Sequence, residues 1–164
     1  MKLALRSATS RRAVGVAAAL IAGAISLNVA MAPTAQASTQ DWVTMFQNQE
    51  TWSCLDAYGG LHAAHYSYCT NNTNDQKWNI HPWADKTNEL KSVLKGTCID
   101  DSDAYGLRLF PCNATPFQSW YIKTWNDGTI ELKNQATGRC LDDSEAYGLR
   151  TFPCNATKFQ SWWY

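Results

Sequence analysis

Two stretches of the 164-residue chain decide the fold: Cys98–Ile122 (CIDDSDAYGLRLFPCNATPFQSWYI) and Cys140–Tyr164 (CLDDSEAYGLRTFPCNATKFQSWWY). They agree at 19 of 25 positions without a gap, at a spacing of 42 residues. A more diverged copy opens with Cys54-Leu55-Asp56, so the three copies begin 44 and 42 residues apart. Self-similarity at a fixed period is the signature of a repeat architecture, in which the copies share one continuous core.

Within each copy, the residue pattern favours short strands. Runs such as Ile130-Glu131-Leu132 alternate in polarity, and turn residues such as Asn126-Asp127-Gly128 interrupt them. No segment after residue 37 has the sustained period of about 3.6 residues that an amphipathic helix requires. We therefore predict an all-β fold with three pseudo-symmetric repeats. A three-bladed propeller is the geometric alternative, although propellers typically have roughly four blades or more.

The six cysteines recur at the same two places in every copy, which predicts one disulfide per repeat. Each bridge would close a loop of about 15 residues and stabilise the fold by about 3 kcal/mol. We interpret all six as structural staples. The predicted pairs are Cys54–Cys69, Cys98–Cys112 and Cys140–Cys154.

Residues 1–37 have the layout of a secretory signal peptide of bacterial style. Four positive residues precede an apolar run over 13–30, and Ala35-Gln36-Ala37 is a small-x-small cleavage site. An uncleaved membrane anchor is the competing interpretation, but the many small residues and the cleavage site favour a secreted mature domain at 38–164. Ser10-Arg11-Arg12 leaves general and twin-arginine export both open.

The mature part has 14 acidic and 10 basic residues, a net charge of −4. This balance argues against a nucleic-acid groove, and no membrane span is expected after signal cleavage. The sequence also predicts no metal, no cofactor and no enzymatic activity. The three histidines (His62, His65 and His81) lack a metal-binding spacing, and neighbouring carboxylates such as Asp100-Asp101 point to opposite faces of a strand.

Three Gln-x-Trp triplets carry a family resemblance: Gln76-Lys77-Trp78, Gln118-Ser119-Trp120 and Gln160-Ser161-Trp162. Each follows a Cys-(Leu/Ile)-Asp opening and a second cysteine, as in the ricin B-chain lectin family, which the mature chain resembles over essentially its whole length. The resemblance implies a β-trefoil of twelve strands, six in a barrel and six in a hairpin cap. It also implies that the triplet tryptophans are core residues and that the repeats span approximately 41–80, 81–122 and 123–164.

The resemblance further implies a shallow sugar site on each repeat, formed by an Asp, an aromatic residue two before the second cysteine, and nearby polar groups. An aromatic ring suits the C–H-rich face of a sugar, and a carboxylate suits paired hydroxyls. The second repeat offers Asp100, Phe110, Asn113 and Gln118, and the third offers Asp142, Phe152, Asn155 and Gln160. The first repeat offers a weaker site with Asp56 and Gln76. Relative to Cys69, Ser67 stands at the aromatic position and Thr70 at the Asn position. Tyr66 or Tyr68 could provide the aromatic ring instead.

Two departures from the family pattern have two interpretations. At the position where the family often has Gln, the second and third repeats have Arg108 and Arg150, and the first repeat has His65. At the position where the family often has Asn, they have Phe117 and Phe159, and the first repeat has Asp75. In a degenerate pocket the arginines would pair with Asp101, Asp103, Asp143 or Glu145 and the phenylalanines would fill core space. In a re-tuned pocket the arginines would bind an acidic or substituted glycan, with Tyr105 and Tyr147 as aromatic walls.

The sequence thus predicts a lectin for glycans or polysaccharides, with two equivalent sites that gain strength from multivalent display. One alternative is a non-catalytic protein-interaction module, such as a toxin subunit or adaptor with a separate secreted partner. Its interface would use exposed aromatic residues such as Tyr105, Tyr147 and Tyr164. A trefoil protease inhibitor is a weaker alternative, since such proteins usually lack the Gln-x-Trp signature.

Overall fold

The computed structural model describes residues 40–64, 68–70 and 73–164. This part of the chain contains thirteen β-strands and no α-helix, together with single 3-10 turns at Pro116–Gln118 and Lys158–Gln160. The strands are β1 (Trp42–Thr44), β2 (Gln47–Asn48), β3 (Cys54–Asp56), β4 (His62–Ala64), β5 (Trp78–Pro82), β6 (Asn88–Ser92), β7 (Cys98–Ser102), β8 (Gly106–Phe110), β9 (Ser119–Thr124), β10 (Ile130–Asn134), β11 (Arg139–Ser144), β12 (Gly148–Pro153) and β13 (Trp162–Trp163).

The same strand pairing occurs three times, which confirms the predicted β-trefoil. Strand β6 pairs with β5, β7 and β9, and β10 pairs in the same way with β9, β11 and β13. In the remaining unit this central role is divided, since β1 pairs with β5 while β2 pairs with β13 and β3. The thirteen strands are therefore the expected twelve with one interrupted. The C-terminal strand β13 completes the unit that the N-terminal strands begin.

Three antiparallel hairpins, β3–β4, β7–β8 and β11–β12, form the cap of the trefoil. In the second hairpin Ser102 pairs with Gly106, which has a φ of 66° that favours glycine. This tight turn sets a register in which Asp100 faces Arg108 and Cys98 faces Phe110. The third hairpin has the same register, with Asp142 opposite Arg150. The register decides which side chains can form a site.

The three tryptophans of the Gln-x-Trp triplets are core residues, as predicted. Trp78, Trp120 and Trp162 are fully buried among aliphatic side chains that include Leu55 and Ile99. Each indole Nε1 donates a hydrogen bond of 3.1 Å to the carbonyl of the residue after a repeat's first cysteine. Burying a tryptophan requires a partner for its N–H, and the hairpin backbone provides it. The triplet thus ties each hairpin to the barrel.

The predicted disulfides are all confirmed, with one bridge in each repeat: Cys54–Cys69, Cys98–Cys112 and Cys140–Cys154. Each bridge joins the first strand of a cap hairpin to the loop that follows the hairpin. The loops are thereby held beside the hairpins that they follow.

Some sequence-based predictions lie outside the described residues. These are the signal peptide at 1–37 and the first-repeat residues His65, Tyr66 and Ser67. Among the described residues, no helix has the length and apolar character needed to cross a membrane.

Candidate functional site

A buried Asp–Gln pair underlies the outer surface of every repeat. The glutamine Nε2 donates to the aspartate over 2.9 Å in repeat one (Gln76 to Asp56), 3.3 Å in repeat two (Gln118 to Asp100) and 3.2 Å in repeat three (Gln160 to Asp142). The glutamine Oε1 accepts the backbone N–H of the residue after the second cysteine, which is Thr70, Asn113 or Asn155. Because both ends of its amide are engaged, the glutamine holds the aspartate and the loop in place.

In repeats two and three, the aspartate also binds an arginine from its own hairpin. The Nε of Arg108 donates to Oδ1 of Asp100 over 2.9 Å, and Arg150 binds Asp142 at the same distance. Both aspartates are almost fully buried, and both arginine side chains are about one-third exposed. The expectation that the arginines would pair with Asp101, Asp103, Asp143 or Glu145 is therefore wrong. The hairpin register places each arginine directly opposite the aspartate that the resemblance assigned to sugar binding.

Each of these arginines lies between two aromatic rings. The Cζ of Arg108 is 4.3 Å from the ring centroid of Tyr105 and 4.2 Å from that of Phe110. Arg150 lies 4.3 Å from both Tyr147 and Phe152. Stacking on an aromatic face is a favourable environment for a planar guanidinium. Within the described part of the chain, the terminal nitrogens of both arginines have no hydrogen-bond acceptor.

The predicted asparagines and phenylalanines lie at the edge of these surfaces. Oδ1 of Asn113 accepts hydrogen bonds from the N–H and hydroxyl of Thr115, and Asn155 has the matching contacts with Thr157. The expectation that Phe117 and Phe159 fill core space is wrong, because their exposed fractions are 43% and 37%. Repeats two and three therefore bring together the predicted aspartate, arginine, aromatic residue and glutamine, while each asparagine supports its own loop.

Repeat one differs because its hairpin register is not the one that its cysteine spacing predicts. Asp56 pairs with His62, and Cys54 pairs with Ala64. His62 and Ala64 therefore lie opposite Asp56 and Cys54, as Arg108 and Phe110 lie opposite Asp100 and Cys98. The residues that the cysteine spacing assigns to these places, His65 and Ser67, lie outside the described residues. The additional residues of this repeat follow β4 instead of enlarging the hairpin turn.

An open cavity of about 500 Å³ is present on repeat one. Asp56 lines it, with one carboxylate oxygen held by Gln76 and the other by the backbone N–H of Tyr58 over 2.6 Å. The ring of His62 lies 3.2 Å from the carbonyl of Gly60, and no cation pairs with Asp56 among the described residues. The lining also includes Tyr58 and Tyr68, both largely exposed, together with Thr73 and Asp75.

Sequence reasoning missed several of the residues that line this cavity. The sequence analysis names Tyr68 but not Tyr58 or Thr73, and it considers His62 only as a metal ligand. One available signal was Tyr58, an aromatic residue in the hairpin turn like Tyr105 and Tyr147. The charge of the surface also differs between the repeats, because repeat one places a histidine where the other two place arginine.

Two groups of potential metal ligands occur among the described residues, and each consists of one glutamate and both sulfurs of a disulfide. Disulfide sulfurs are not thiolates, so neither group has the chemistry of a metal site.

Comparisons with known proteins agree with this architecture. The profile of the family described as "Ricin-type beta-trefoil lectin domain" matches residues 41–142 and 86–164. No curated protein sequence matches the chain. The similar solved structures show the same fold at low identity. They include a designed three-fold symmetric protein, ThreeFoil (TM-score 0.64, 17% identity, covering 74% of this chain and 96% of that one).

Two further solved structures have comparable TM-scores. The Haemophilus ducreyi cytolethal distending toxin has a TM-score of 0.62 and 18% identity, covering 74% of this chain and 81% of that one. The structure of SeviL bound to the asialo-GM1 saccharide has a TM-score of 0.60 and 13% identity, covering 76% of this chain and 96% of that one. Because the family profile spans nearly all of the described residues, this chain belongs to the ricin-type β-trefoil lectin family.

Proposed function

We propose that this protein is a secreted, non-enzymatic lectin that binds carbohydrate at shallow sites on the outer face of its cap hairpins. One observation carries the proposal: every repeat holds a buried, hydrogen-bonded Asp–Gln pair beneath exposed aromatic rings. Membership of a lectin family supports it, as does the bound saccharide in the related fold of SeviL. The predicted signal peptide at 1–37 supports secretion.

Repeats two and three would bind sugar through the arginine. Asp100 and Asp142 are almost fully buried and hydrogen-bonded, so they would act by holding Arg108 and Arg150 in place. The terminal guanidinium nitrogens would donate to a carboxylate, a sulfate or a pair of hydroxyls, since their planar fork suits bidentate acceptors. Phe110, Phe152 and the two flanking tyrosines would contact the sugar ring. This arrangement favours acidic or substituted glycans.

Repeat one would bind a neutral sugar in its open cavity. Asp56 is as buried as Asp100, at 3% exposed, and each of its oxygens already accepts one hydrogen bond. Because no guanidinium covers it, its remaining lone pairs would accept hydrogen bonds from sugar hydroxyls at the cavity wall, and Tyr58 and Tyr68 would provide the stacking surfaces. A cavity of about 500 Å³ falls within the usual range for small-molecule sites. The site that the sequence predicts to be weakest is therefore the one whose aspartate has no guanidinium over it among the described residues.

The test is a glycan array probed with the disulfide-intact 38–164 protein, displayed multivalently because single shallow sites are weak. Two matched variants separate the sites: Asp56→Asn for repeat one, and Arg108→Gln with Arg150→Gln for the other two repeats. We expect the first variant to lose neutral glycans and the second to lose acidic ones. Binding that survives both changes would refute the assignment of sites.

Secretion is tested on protein recovered from the culture medium of a bacterial host that expresses the full chain. Mass spectrometry should find a mature N-terminus at Ser38. Retention of the intact chain in the membrane fraction would refute the signal-peptide assignment and favour the uncleaved anchor.

A protein-interaction module remains the alternative function, since Tyr105 and Tyr147 are each 71% exposed and a toxin shares the fold. Exposed tyrosines are enriched in protein interfaces. A blank array from correctly folded protein would favour this alternative. The next measurement would then be capture of a partner from the producer's secreted proteins, with Tyr105→Ala plus Tyr147→Ala as the matched negative control.

A further inference from the structure

The junction between repeats two and three contains a fully satisfied buried carboxylate. Asp101 is completely buried, and Arg139 binds it twice, from Nη2 to Oδ1 over 2.9 Å and from Nε to Oδ2 over 3.1 Å. The hydroxyls of Thr137 and Thr151 also donate to it. A third nitrogen of Arg139 lies 3.2 Å from the exposed Asp103. The hydrogen bond with Asp101 raises the pKa of Arg139, as expected for a guanidinium held by a buried anion.

The junction between repeats three and one has the same carboxylate without the arginine. Asp143 is the counterpart of Asp101 and is 3% exposed. The hydroxyl of Thr51 donates to its Oδ2, just as Thr137 donates to Asp101. However, Ser53 stands before the first cysteine where repeat three has Arg139. Among the described residues nothing donates to Oδ1 of Asp143.

A cavity of about 230 Å³ lies where the missing side chains would be. Ser53 and Ala63 line it, and Ala63 occupies the strand position that Thr151 occupies in repeat three. The other lining residues include Asp143 and Glu145, the latter being the counterpart of Asp103. The cavity therefore retains the counterparts of both acidic partners of Arg139, but its lining residues include no lysine or arginine.

We propose that this cavity binds a guanidinium group from outside the chain, the head group of an arginine side chain, with Asp143 and Glu145 in the roles of Asp101 and Asp103. The planar fork of a guanidinium matches a carboxylate in two parallel hydrogen bonds, whereas an ammonium group is a point charge. The chain itself demonstrates this mode of binding at the neighbouring junction. The proposal does not depend on the sugar sites.

The electrostatics of the cavity agree with a missing cation. Burial raises the pKa of Asp143, the hydrogen bond from Thr51 opposes this effect, and the negative charges of Asp142 and Glu145 raise the pKa further. An arriving guanidinium would offset the cost of burying this negative charge.

The test is a titration of the 38–164 protein followed by NMR chemical shifts, with N-acetyl-arginine amide as the probe. The matched probes are N-acetyl-citrulline amide, which has the same shape without the charge, and N-acetyl-lysine amide, which has the charge without the planar fork. We expect the arginine probe to bind with a Kd of about 1–10 mM, as is reasonable for so small a ligand, and to shift signals around Asp143. Binding of the other two probes should be at least about tenfold weaker.

Three variants locate the site. Asp143→Asn should weaken binding of the arginine probe at least tenfold, and Glu145→Gln, at an exposed position that does not endanger folding, should weaken it several-fold. Ser53→Arg should abolish binding, because it supplies the missing guanidinium within the chain. Thr97→Arg is the control, because it adds an arginine before the first cysteine of repeat two. At that junction the facing repeat has Ala57 at the position of Asp101 and Asp143, so binding of the probe at Asp143 should be unchanged. Equal binding of the citrulline or lysine probe, or unchanged binding in Ser53→Arg, would overturn the proposal.

Discussion

Repeats two and three supply arginines to buried carboxylates, whereas repeat one supplies small or neutral residues at the same positions. Arg108 and Arg150 cover the aspartates of their own hairpins, and Arg139 covers Asp101 across a repeat junction. In repeat one the corresponding residues are His62 and Ser53. The result is an open cavity on each side of β4, one beside Asp56 and one beside Asp143.

This contrast shows how a repeat protein can separate stability from recognition. Repeats two and three supply the guanidinium groups that pair with Asp100, Asp101 and Asp142, which offsets the cost of burying these carboxylates. The diverged repeat supplies no such group, so Asp56 and Asp143 have no cationic partner among the described residues. The two cavities of this trefoil therefore lie where the first repeat departs from the other two, and not where the residues agree best with the family pattern.

The largest expected effect concerns the two junction carboxylates. Asp101→Asn should lower the free energy of unfolding by about 2–4 kcal/mol, because it leaves Arg139 facing an amide. The loss should be smaller than for a fully buried ion pair, because Arg139 can still reach water. Asp143→Asn should change that free energy by less than about 1 kcal/mol, because no cation is left unpaired. Urea unfolding of both variants measures the difference. Equal losses would show that the two junctions are not electrostatically different.

The second effect concerns the arginines under the aromatic rings. Arg108→Ala should cost about 1–2 kcal/mol, because it removes two ring contacts and leaves one oxygen of Asp100 without its donor. His62→Ala, the matched change in repeat one, should cost less than about 0.5 kcal/mol, since His62 is exposed and makes no hydrogen bond to Asp56 in the described part of the chain. Thermal or urea unfolding checks both values. A loss in His62→Ala as large as that in Arg108→Ala would contradict the proposed division between the repeats.

The fold could be predicted from the sequence because its signals are periodic and local. The 42-residue repeat, the paired cysteines and the Gln-x-Trp triplets each recur three times, and all of them have the predicted structural roles. The sites were predicted less well because cross-strand partners depend on hairpin register, and a shift of one residue reverses every side chain. Arg108 is eight residues after Asp100, and only the tight turn at Gly106 makes them neighbours. In repeat one, the register of β3 and β4 places His62 opposite Asp56, whereas counting back from Cys69 points to residues outside the described part of the chain.

A third, smaller effect would come from converting repeat one into the pattern of the other repeats. The double change His62→Arg and Ala64→Phe should place a guanidinium on Asp56 beneath an aromatic ring, as in the other hairpins. We expect a gain in unfolding free energy of about 0.5–1 kcal/mol and loss of neutral-glycan binding on the array. Arg108→Gln with Arg150→Gln serves as the control that retains repeat one. Unchanged neutral-glycan binding in the converted protein would show that Asp56 does not contact the sugar.

The smallest effect is the pH dependence that Asp143 imposes on stability. Because its pKa is raised in the folded state, the native protein holds this proton more tightly than the unfolded chain does. Its contribution to stability is therefore present at low pH, below the folded pKa, and is lost as the pH rises through that pKa.

Asp85 and Asp127 have the opposite sign, since hydrogen bonds from Thr87 and Thr129 lower their pKa values and their contributions are lost as the pH falls. Asp143→Asn should therefore become progressively more stable relative to wild type between about pH 4 and pH 7, by less than about 1 kcal/mol. Urea unfolding at several pH values measures this difference. Ser53→Arg provides the matched control, because a guanidinium beside Asp143 should lower its pKa and remove the trend. If the difference in unfolding free energy between wild type and Asp143→Asn did not vary with pH, the Asp143 carboxylate would already be satisfied. The two junctions would then differ in shape but not in electrostatics.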